Sequence, residues 1–87
     1  MPPEYVSHPA VVTLARYDGE HETELLHTLA AFVRHRYNAT AASEALYVAR
    51  STLLNRLERI HDLTGIDLDD FEERVYLEMS LLMAGVE

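Results

Sequence analysis

Apolar residues recur along most of the chain at intervals of three and four, which is the spacing of one face of an α-helix. The clearest run lies within residues 22–35, where acidic residues occupy the first turn, arginines the last, and the apolar positions are Leu25, Leu26, Leu29, Phe32 and Val33. No stretch alternates apolar and polar residues as a half-buried strand does. The pattern therefore predicts an all-α domain of about five helices.

Capping residues and glycines indicate where the other four helices begin and end. We expect them at about residues 9–17, ended near Asp18 and Gly19; at 39–46, after an N-cap at Asn38; from 50 or 51 to 63, before Gly65; and at 71–83, opened by a capping-box-like pair, Asp70 and Glu73. The acidic segment 66–69 is expected to be a loop. Pro2 and Pro3 indicate a tail or linker over residues 1–7, which leaves one helical domain over residues 8–87.

The chain has 87 residues and no cysteine, which bounds the possible functions. This length allows one small domain, and the missing thiols exclude disulfides, thiolate zinc sites and cysteine nucleophiles. No apolar run approaches the ~20 residues that span a bilayer, and the first residues lack the order of a signal peptide. We therefore expect a soluble, cytoplasmic protein with no membrane partner.

The net charge of −8 conceals a basic block between two acidic ones. Residues 34–61 contain five arginines and two glutamates, residues 1–33 one arginine and five acids, and residues 62–87 one arginine and eight acids. All seven basic residues are arginine, whose planar guanidinium binds phosphate or a guanine edge through two hydrogen bonds. The basic block is thus the candidate site for a polyanion.

Within this block, two predicted helices of unequal length are joined by three or four residues, which is the geometry of a helix-turn-helix. The small residues Ala42 and Ala45 would let the helices cross closely, and Tyr47 is expected to pack in the core. Four apolar residues would fill the wedge between the helices: Leu46, Val48, Leu53 and Leu57. An ordinary helical hairpin would show the same spacing, so the pattern alone leaves both interpretations open.

Several segments carry a resemblance to a known family. Residues 38–57 resemble the Fis-type helix-turn-helix. A resemblance to the C-terminal domain of PucR-type (CdaR-type) bacterial transcription regulators is carried by five further segments: Tyr17-Asp18, Thr23-Glu-Leu-Leu26, Thr28-Leu29, Arg56-Leu-Glu-Arg-Ile60 and Leu63-Thr-Gly-Ile-Asp-Leu-Asp-Asp70. The resemblance covers about residues 17–83. It implies a domain that binds double-stranded DNA, needs no cofactor, follows a longer N-terminal sensory region and acts as a dimer or higher oligomer, associated with the nucleoid when bound.

The resemblance also implies site residues. Arg50 stands where the family has an arginine at the start of the recognition helix, Thr52 where that helix contacts the DNA backbone, Arg56 at a later arginine and Asn38 at the cap of the preceding helix. Together with polar neighbours, the predicted DNA-binding residues are Arg36, Asn38, Thr40, Arg50, Ser51, Thr52, Asn55, Arg56 and Arg59.

The chain departs from the family pattern at several of these places. Relatives usually read His-Arg-Asn-Thr-Val-Arg-Tyr-Arg across the start of the recognition helix, whereas this chain has Ala49, Ser51, Leu54 and Asn55 at the changed positions. Leu54 removes a cation from that helix. Arg36 and Tyr37 replace a common Gly-Gly, and Arg36 restores a positive charge from another direction.

Structural roles are the alternatives for the same side chains. Arg50 could pair with Glu44 or Glu58 on the surface, and Ser51 and Thr52 could cap their helix. Arg56 and Arg59, one turn apart, could serve phosphates or only face solvent.

Two further functions have some support in the sequence. Glu24 with His27, and Glu58 with His61, have the Glu-x-x-His spacing of di-iron bundles, but the helical wheel places both pairs off the apolar stripes, so we expect neither a metal site nor an enzyme. A helical oligomerisation or protein-docking module without DNA contact fits the acidic total, Leu54 and the apolar run Leu81, Leu82 and Met83.

Overall fold

The computed structural model describes residues 7–86, which form five α-helices joined by short connections. They are α1 (Pro9–His21), α2 (Leu25–Arg34), α3 (Ala39–Leu46), α4 (Arg50–Thr64) and α5 (Phe71–Ala84). These residues contain no strand, and the prediction of an all-α fold is confirmed. None of the helices is both long and apolar enough to cross a bilayer. Residues 1–6 of the predicted tail lie outside the described part of the chain.

Aliphatic side chains from four helices fill the main core. Its fully buried members include Leu14, Leu29, Ile60 and Leu77, which come from α1, α2, α4 and α5 respectively. The spacing of three and four along each helix brings these residues to one inward face, as the sequence predicts.

A second, smaller cluster lies between α2, α3 and α4. Phe32, Ala42 and Leu53 are its buried members. Leu46, Val48 and Leu57 pack against it, as predicted for the wedge of a helix-turn-helix. Leu57 and Leu68 pack against both clusters, so the two cores are joined.

The end of α1 differs from the prediction because Gly19 does not stop the helix. α1 continues to His21 and ends at Glu22, whose φ of 54° is left-handed. Asp18 therefore lies inside α1 rather than in a turn, and its carboxylate serves the next helix. Oδ1 accepts hydrogen bonds from Thr23 Oγ1 (2.5 Å) and the Leu25 amide (2.9 Å), and Oδ2 accepts one from the Leu26 amide (2.9 Å).

That carboxylate also explains why α2 begins at Leu25 instead of residue 22. The first amides of a helix lack intrahelical acceptors, and here a side chain seven or eight residues upstream supplies them. Glu24, at the N-cap position, makes no side-chain capping bond. Asp18 thus fastens the end of α1 to the start of α2.

At α5 the predicted N-cap position is right, but the predicted capping box is wrong. Asp70 precedes Phe71 as expected, yet its side chain makes no capping hydrogen bond. Glu73 instead accepts a hydrogen bond from His8 Nε2 at 3.0 Å. The predicted end of α4 is confirmed, since Gly65 has a φ of 68° and its amide donates to the His61 carbonyl at 2.7 Å.

The start of α1 is tied to α5 by several hydrogen bonds around the buried residue His8. The His8 amide donates to Ser80 Oγ at 2.8 Å, and its Nδ1 accepts from the Ala10 amide at 3.0 Å, so that His8 caps α1. The Tyr76 hydroxyl donates to the Ser7 carbonyl at 3.2 Å. These contacts hold the start of α1 against α5.

Candidate nucleic-acid interface

The turn between α3 and α4 consists of Tyr47, Val48 and Ala49. The Val48 amide donates to the Ser43 carbonyl at 3.0 Å, which satisfies a carbonyl at the end of α3. Tyr47 has a left-handed φ of 58°, and 95% of its surface is exposed. The prediction that Tyr47 packs in the core is therefore wrong: the left-handed backbone reverses the chain there, and Val48 packs inward instead.

The crossing of α3 and α4 depends on small side chains, though not on both predicted alanines. Ala42 is completely buried and Ser43 nearly so, with Ser43 Oγ donating to the Thr40 carbonyl at 2.8 Å. Ala45 is exposed, because Ser43 rather than Ala45 completes the buried face of this eight-residue helix. The close approach thus rests on Ala42 and Ser43.

Arg50, the first residue of α4, is exposed to solvent. Its guanidinium makes no hydrogen bond or ion pair with any residue in the described range, so the alternative pairings with Glu44 and Glu58 do not form. α4 has no side-chain cap, and neither Ser51 nor Thr52 supplies one. The partial positive charge of the helix N-terminus is therefore reinforced by a free cation.

Arg56 and Arg59, in contrast, are held by partners within the domain. Arg56 Nη1 donates to Thr28 Oγ1 at 3.4 Å, and Arg59 Nη1 donates to the Tyr17 hydroxyl at 2.8 Å. Both arginines line an open cleft of about 580 Å³ between α4 and the α1–α2 turn. Thr52 and Asn55 lie on the same side of the cleft, and Glu22 and Glu24 on the other.

The other three candidate residues lie where α2 passes into α3. Asn38 is the N-cap of α3 as predicted, with Oδ1 accepting from the Ala41 amide at 2.9 Å. Thr40 is exposed in the first turn of α3. Arg36 is exposed and has a φ of 56°. The nine candidates thus form two groups, one along α4 and one at the start of α3.

Tyr37 holds the second group in place, and sequence reasoning missed this role. Its ring meets the Phe32 ring edge to face, with centroids 5.5 Å apart, and its hydroxyl donates to Glu78 at 2.9 Å. Burial, followed by the hydrogen bond to Glu78 and the charge of that carboxylate, raises the pKa of the Tyr37 phenol, while the positive charge of Arg74 opposes the rise. The available signal was the Gly-Gly that the resemblance leads one to expect at positions 36 and 37, since Tyr37 also has a left-handed φ of 61°.

The two Glu-x-x-His pairs face outward. Glu24, His27, Glu58 and His61 are all exposed, and His61 Nδ1 donates to the Ile66 carbonyl at 3.1 Å. Within residues 7–86, no group of three or more histidines and carboxylates is placed to hold a metal ion.

One side of α5 exposes a continuous row of apolar side chains, which we name the α5 stripe: Phe71, Val75, Met79, Leu82 and Met83. Phe71 and Leu82 are the most exposed, at 76% and 78%. Leu81, which the sequence grouped with Leu82 and Met83, belongs to the main core instead. Glu72 and Glu78 are exposed on the same helix, so acidic residues accompany the stripe.

The part of the chain from α2 to α5 is similar to known proteins. Residues 25–83 match the family described as the PucR C-terminal helix-turn-helix domain. The chain is 47% identical over 57 residues to the carbohydrate diacid regulator of Escherichia coli (strain K12), covering 66% of this chain and 15% of that protein. No solved structure matches the chain.

Two Bacillus subtilis (strain 168) proteins are also similar. The proline-responsive transcriptional activator PutR is 36% identical over 66 residues, covering 76% of this chain and 16% of that protein. The DNA-binding transcriptional activator AdeR is 33% identical over 70 residues, covering 78% and 17%. The chain thus spans only 15–17% of the length of these three relatives.

Proposed function

The chain belongs to the family of PucR C-terminal helix-turn-helix domains, and we propose that it binds double-stranded DNA sequence-specifically as the output domain of a transcription regulator. Its named relatives are transcriptional regulators, and a non-enzymatic role is part of the proposal. The alternative of a docking module without DNA contact is not favoured, because the family match covers the helix-turn-helix itself.

The observation that carries this proposal is the free guanidinium of Arg50 at the uncapped start of α4. A cation at this point adds to the partial charge of the helix N-terminus, and both attract phosphate. The local positive charge offsets the repulsion that a net charge of −8 would impose on an approaching duplex.

We assign the nine candidate residues to two kinds of contact. Arg50, Ser51 and Asn55 are exposed on α4 and would reach base edges or phosphates in the major groove. Thr52, Arg56 and Arg59 line the cleft, which Asn55 also borders, and these three would contact the DNA backbone at one edge of that groove. Three residues at the start of α3 would contact phosphates from the other side: Arg36, Asn38 and Thr40.

A titration of the domain with its own promoter DNA at several salt concentrations tests the proposal. The logarithm of the binding constant should fall with the logarithm of salt concentration, with a slope of roughly −0.9 for each phosphate contacted. Arg50→Ala should weaken binding strongly. Glu20→Ala is the matched control, because Glu20 is an exposed charge on α1. Equal effects of the two substitutions, or binding without salt dependence, would contradict the assignment.

The full regulator is part of the same proposal. Since the chain spans about one sixth of each relative, we propose that it is preceded by an N-terminal sensory region in a longer protein. We also propose that this protein works in the bacterial cytoplasm and associates with the nucleoid when it binds DNA.

We further propose that two copies act together, with the α5 stripe as the contact between them. A contiguous exposed apolar surface often marks an interaction site, but the five side chains of the stripe are far fewer than the roughly 20–30 residues per partner of a standard interface. Self-association through the stripe alone should therefore be weak and strengthened by DNA, with half-sites ~34 Å apart or a multiple of that distance. Sedimentation of wild type and Leu82→Ser, each with and without DNA, tests this; identical association would exclude the stripe.

A further inference from the structure

The outward face of α4 contains one apolar residue, Leu54, that is exposed to solvent. Four exposed residues lie on this side of the helix, because they are spaced by three and four positions: Ser51, Leu54, Asn55 and Glu58. Leu54 is 41% exposed, whereas Leu53 and Ile60 on the opposite side are buried. The face that a duplex would meet is thus polar with one branched apolar side chain within it.

The neighbours of Leu54 have hydrogen-bonding groups that the domain does not use. The side chains of Ser51, Asn55 and Glu58 make no hydrogen bond with any described residue. Arg56 and Arg59, which flank this face, are held instead by Thr28 and Tyr17. The flanking cations are therefore positioned by the protein, and the central side chains remain available for a ligand.

A single exposed leucine is common on protein surfaces and by itself implies nothing. Its position gives it a possible role here: Leu54 is the fifth residue of α4, and residues near the N-terminus of a recognition helix contact base edges in the major groove. Beside a G·C pair, a leucine would exclude water from the polar groups of the bases without offering them a hydrogen bond. Binding would then be weakened by the free-energy cost of those unsatisfied groups. Thymine is the one base of DNA that presents a methyl group in that groove.

Asn55 supplies the complementary chemistry beside it. The amide of asparagine matches adenine in the major groove, because its oxygen accepts from the N6 amino group while its nitrogen donates to N7. Asn55 is exposed and its amide is uncommitted, so it has both functions to offer. Adjacent residues on a helix face contact the same or neighbouring base pairs.

We infer that Leu54 and Asn55 select A·T base pairs at the centre of each half-site, Leu54 by contact with a thymine methyl group and Asn55 by a paired hydrogen bond to adenine. The inference rests on the proposed function, because it needs α4 to occupy the major groove. It assigns specificity to two residues and leaves affinity to the arginines.

The test begins with a duplex selected by the domain from a random pool, whose thymines and adenines are then replaced one at a time. Deoxyuridine removes the thymine methyl group, and 7-deazaadenine removes the N7 acceptor. At one thymine, replacement by deoxyuridine should weaken binding by the wild-type domain about fourfold, because the free energy of burying one methyl group is lost. At the neighbouring or same pair, 7-deazaadenine should weaken it about fivefold, the value of one hydrogen bond.

Variants connect each effect to its residue. Leu54→Ala should bind the thymine and uracil duplexes equally while still responding to 7-deazaadenine, and Asn55→Ala should show the reverse. Val12→Ala is the matched control, because Val12 is an exposed apolar residue on α1, outside α4 and the α5 stripe, and its truncation should leave both responses unchanged. Far-ultraviolet circular dichroism checks that each variant folds, which the exposure of both residues favours.

Two failures are distinguishable. In the first, wild type binds DNA with the expected salt dependence, but no uracil substitution weakens its binding more than it weakens binding by Leu54→Ala, or the selected half-site has no A·T pair at its centre. The inference is then wrong and the proposed function stands. If no duplex is bound in a salt-dependent manner, both are wrong.

Discussion

The guanidinium of Arg74 lies over the ring of Tyr37, with its central carbon 4.1 Å from the ring centroid. The same guanidinium donates through Nε to the Leu68 carbonyl, and the Tyr37 hydroxyl donates to Glu78. Tyr37 precedes α3, whereas Arg74 and Glu78 belong to α5. The pair therefore fastens the helix-turn-helix to the last helix of the domain.

Tyr37→Phe should cost about 1 kcal/mol of unfolding free energy at neutral pH, because Glu78 loses its hydrogen-bond donor at a partly exposed site. The difference should depend on pH. The pKa of Tyr37 is raised above the ~10 of an unfolded tyrosine, so its contribution is complete below about pH 10 and is lost as the pH rises further. Urea unfolding of both proteins from neutral pH to about pH 11 should show the difference shrinking at the alkaline end.

Tyr47→Phe is the matched control for that experiment, because it removes a hydroxyl from a ring that is 95% exposed. Its unfolding free energy should follow that of wild type at every pH. A difference between wild type and Tyr37→Phe that stays constant across the alkaline range would contradict the role of the Tyr37 phenol.

Asp18→Ala should destabilise the domain by about 1–2 kcal/mol, the range found when a capping acceptor is removed. The reason is that three donors at the start of α2 lose their acceptor together. Glu20→Ala removes the same charge from the same helix at an exposed position and should have little effect. Chemical denaturation measures both, and comparable losses would mean that charge rather than capping matters.

Tyr47→Gly should stabilise the domain by about 1 kcal/mol, because glycine adopts the left-handed region without the steric cost of a Cβ atom. The exposed ring contributes no packing that the substitution could remove. Tyr47→Ala keeps the Cβ atom and should show no such gain. A higher thermal midpoint for Tyr47→Gly alone is the expected outcome, and a lower one would show that the ring has a structural role.

Arg36→Gly should separate stability from DNA affinity. It should raise the unfolding free energy by about 1 kcal/mol by relieving a left-handed φ, and reduce the magnitude of the salt slope of DNA binding by about 0.9 by removing one phosphate contact. Arg36→Ala should give the same change in slope without the gain in stability. If both variants bind DNA as wild type does, Arg36 does not contact phosphate.

The sequence predicted the parts of this domain that depend on local pattern. The apolar spacing locates five helices and the apolar wedge of the helix-turn-helix, and Asn38 and Gly65 cap α3 and α4 as expected. The errors at Asp18 and Glu73 have a common cause, since each was assigned a role within its own segment but bonds to a residue of a different segment.

The candidate site was predicted as a set of residues but not as an arrangement. Nothing in a helical wheel shows that Arg59 would reach the Tyr17 hydroxyl, or that Arg50 would stay unpaired with glutamates close by in sequence. The predicted burial of Tyr47 is wrong for a different reason. Its size suggests burial, whereas the left-handed backbone at the end of α3 turns its side chain toward solvent.

Leu57 and Leu68 touch both hydrophobic clusters and should therefore couple the unfolding of one cluster to that of the other. Loss of the smaller cluster would strip contacts from these two leucines and so weaken the larger cluster at the same moment. We therefore expect that the recognition helix does not unfold separately while the remaining helices stay folded. Calorimetric and van't Hoff enthalpies should therefore agree, with a single transition for the whole domain.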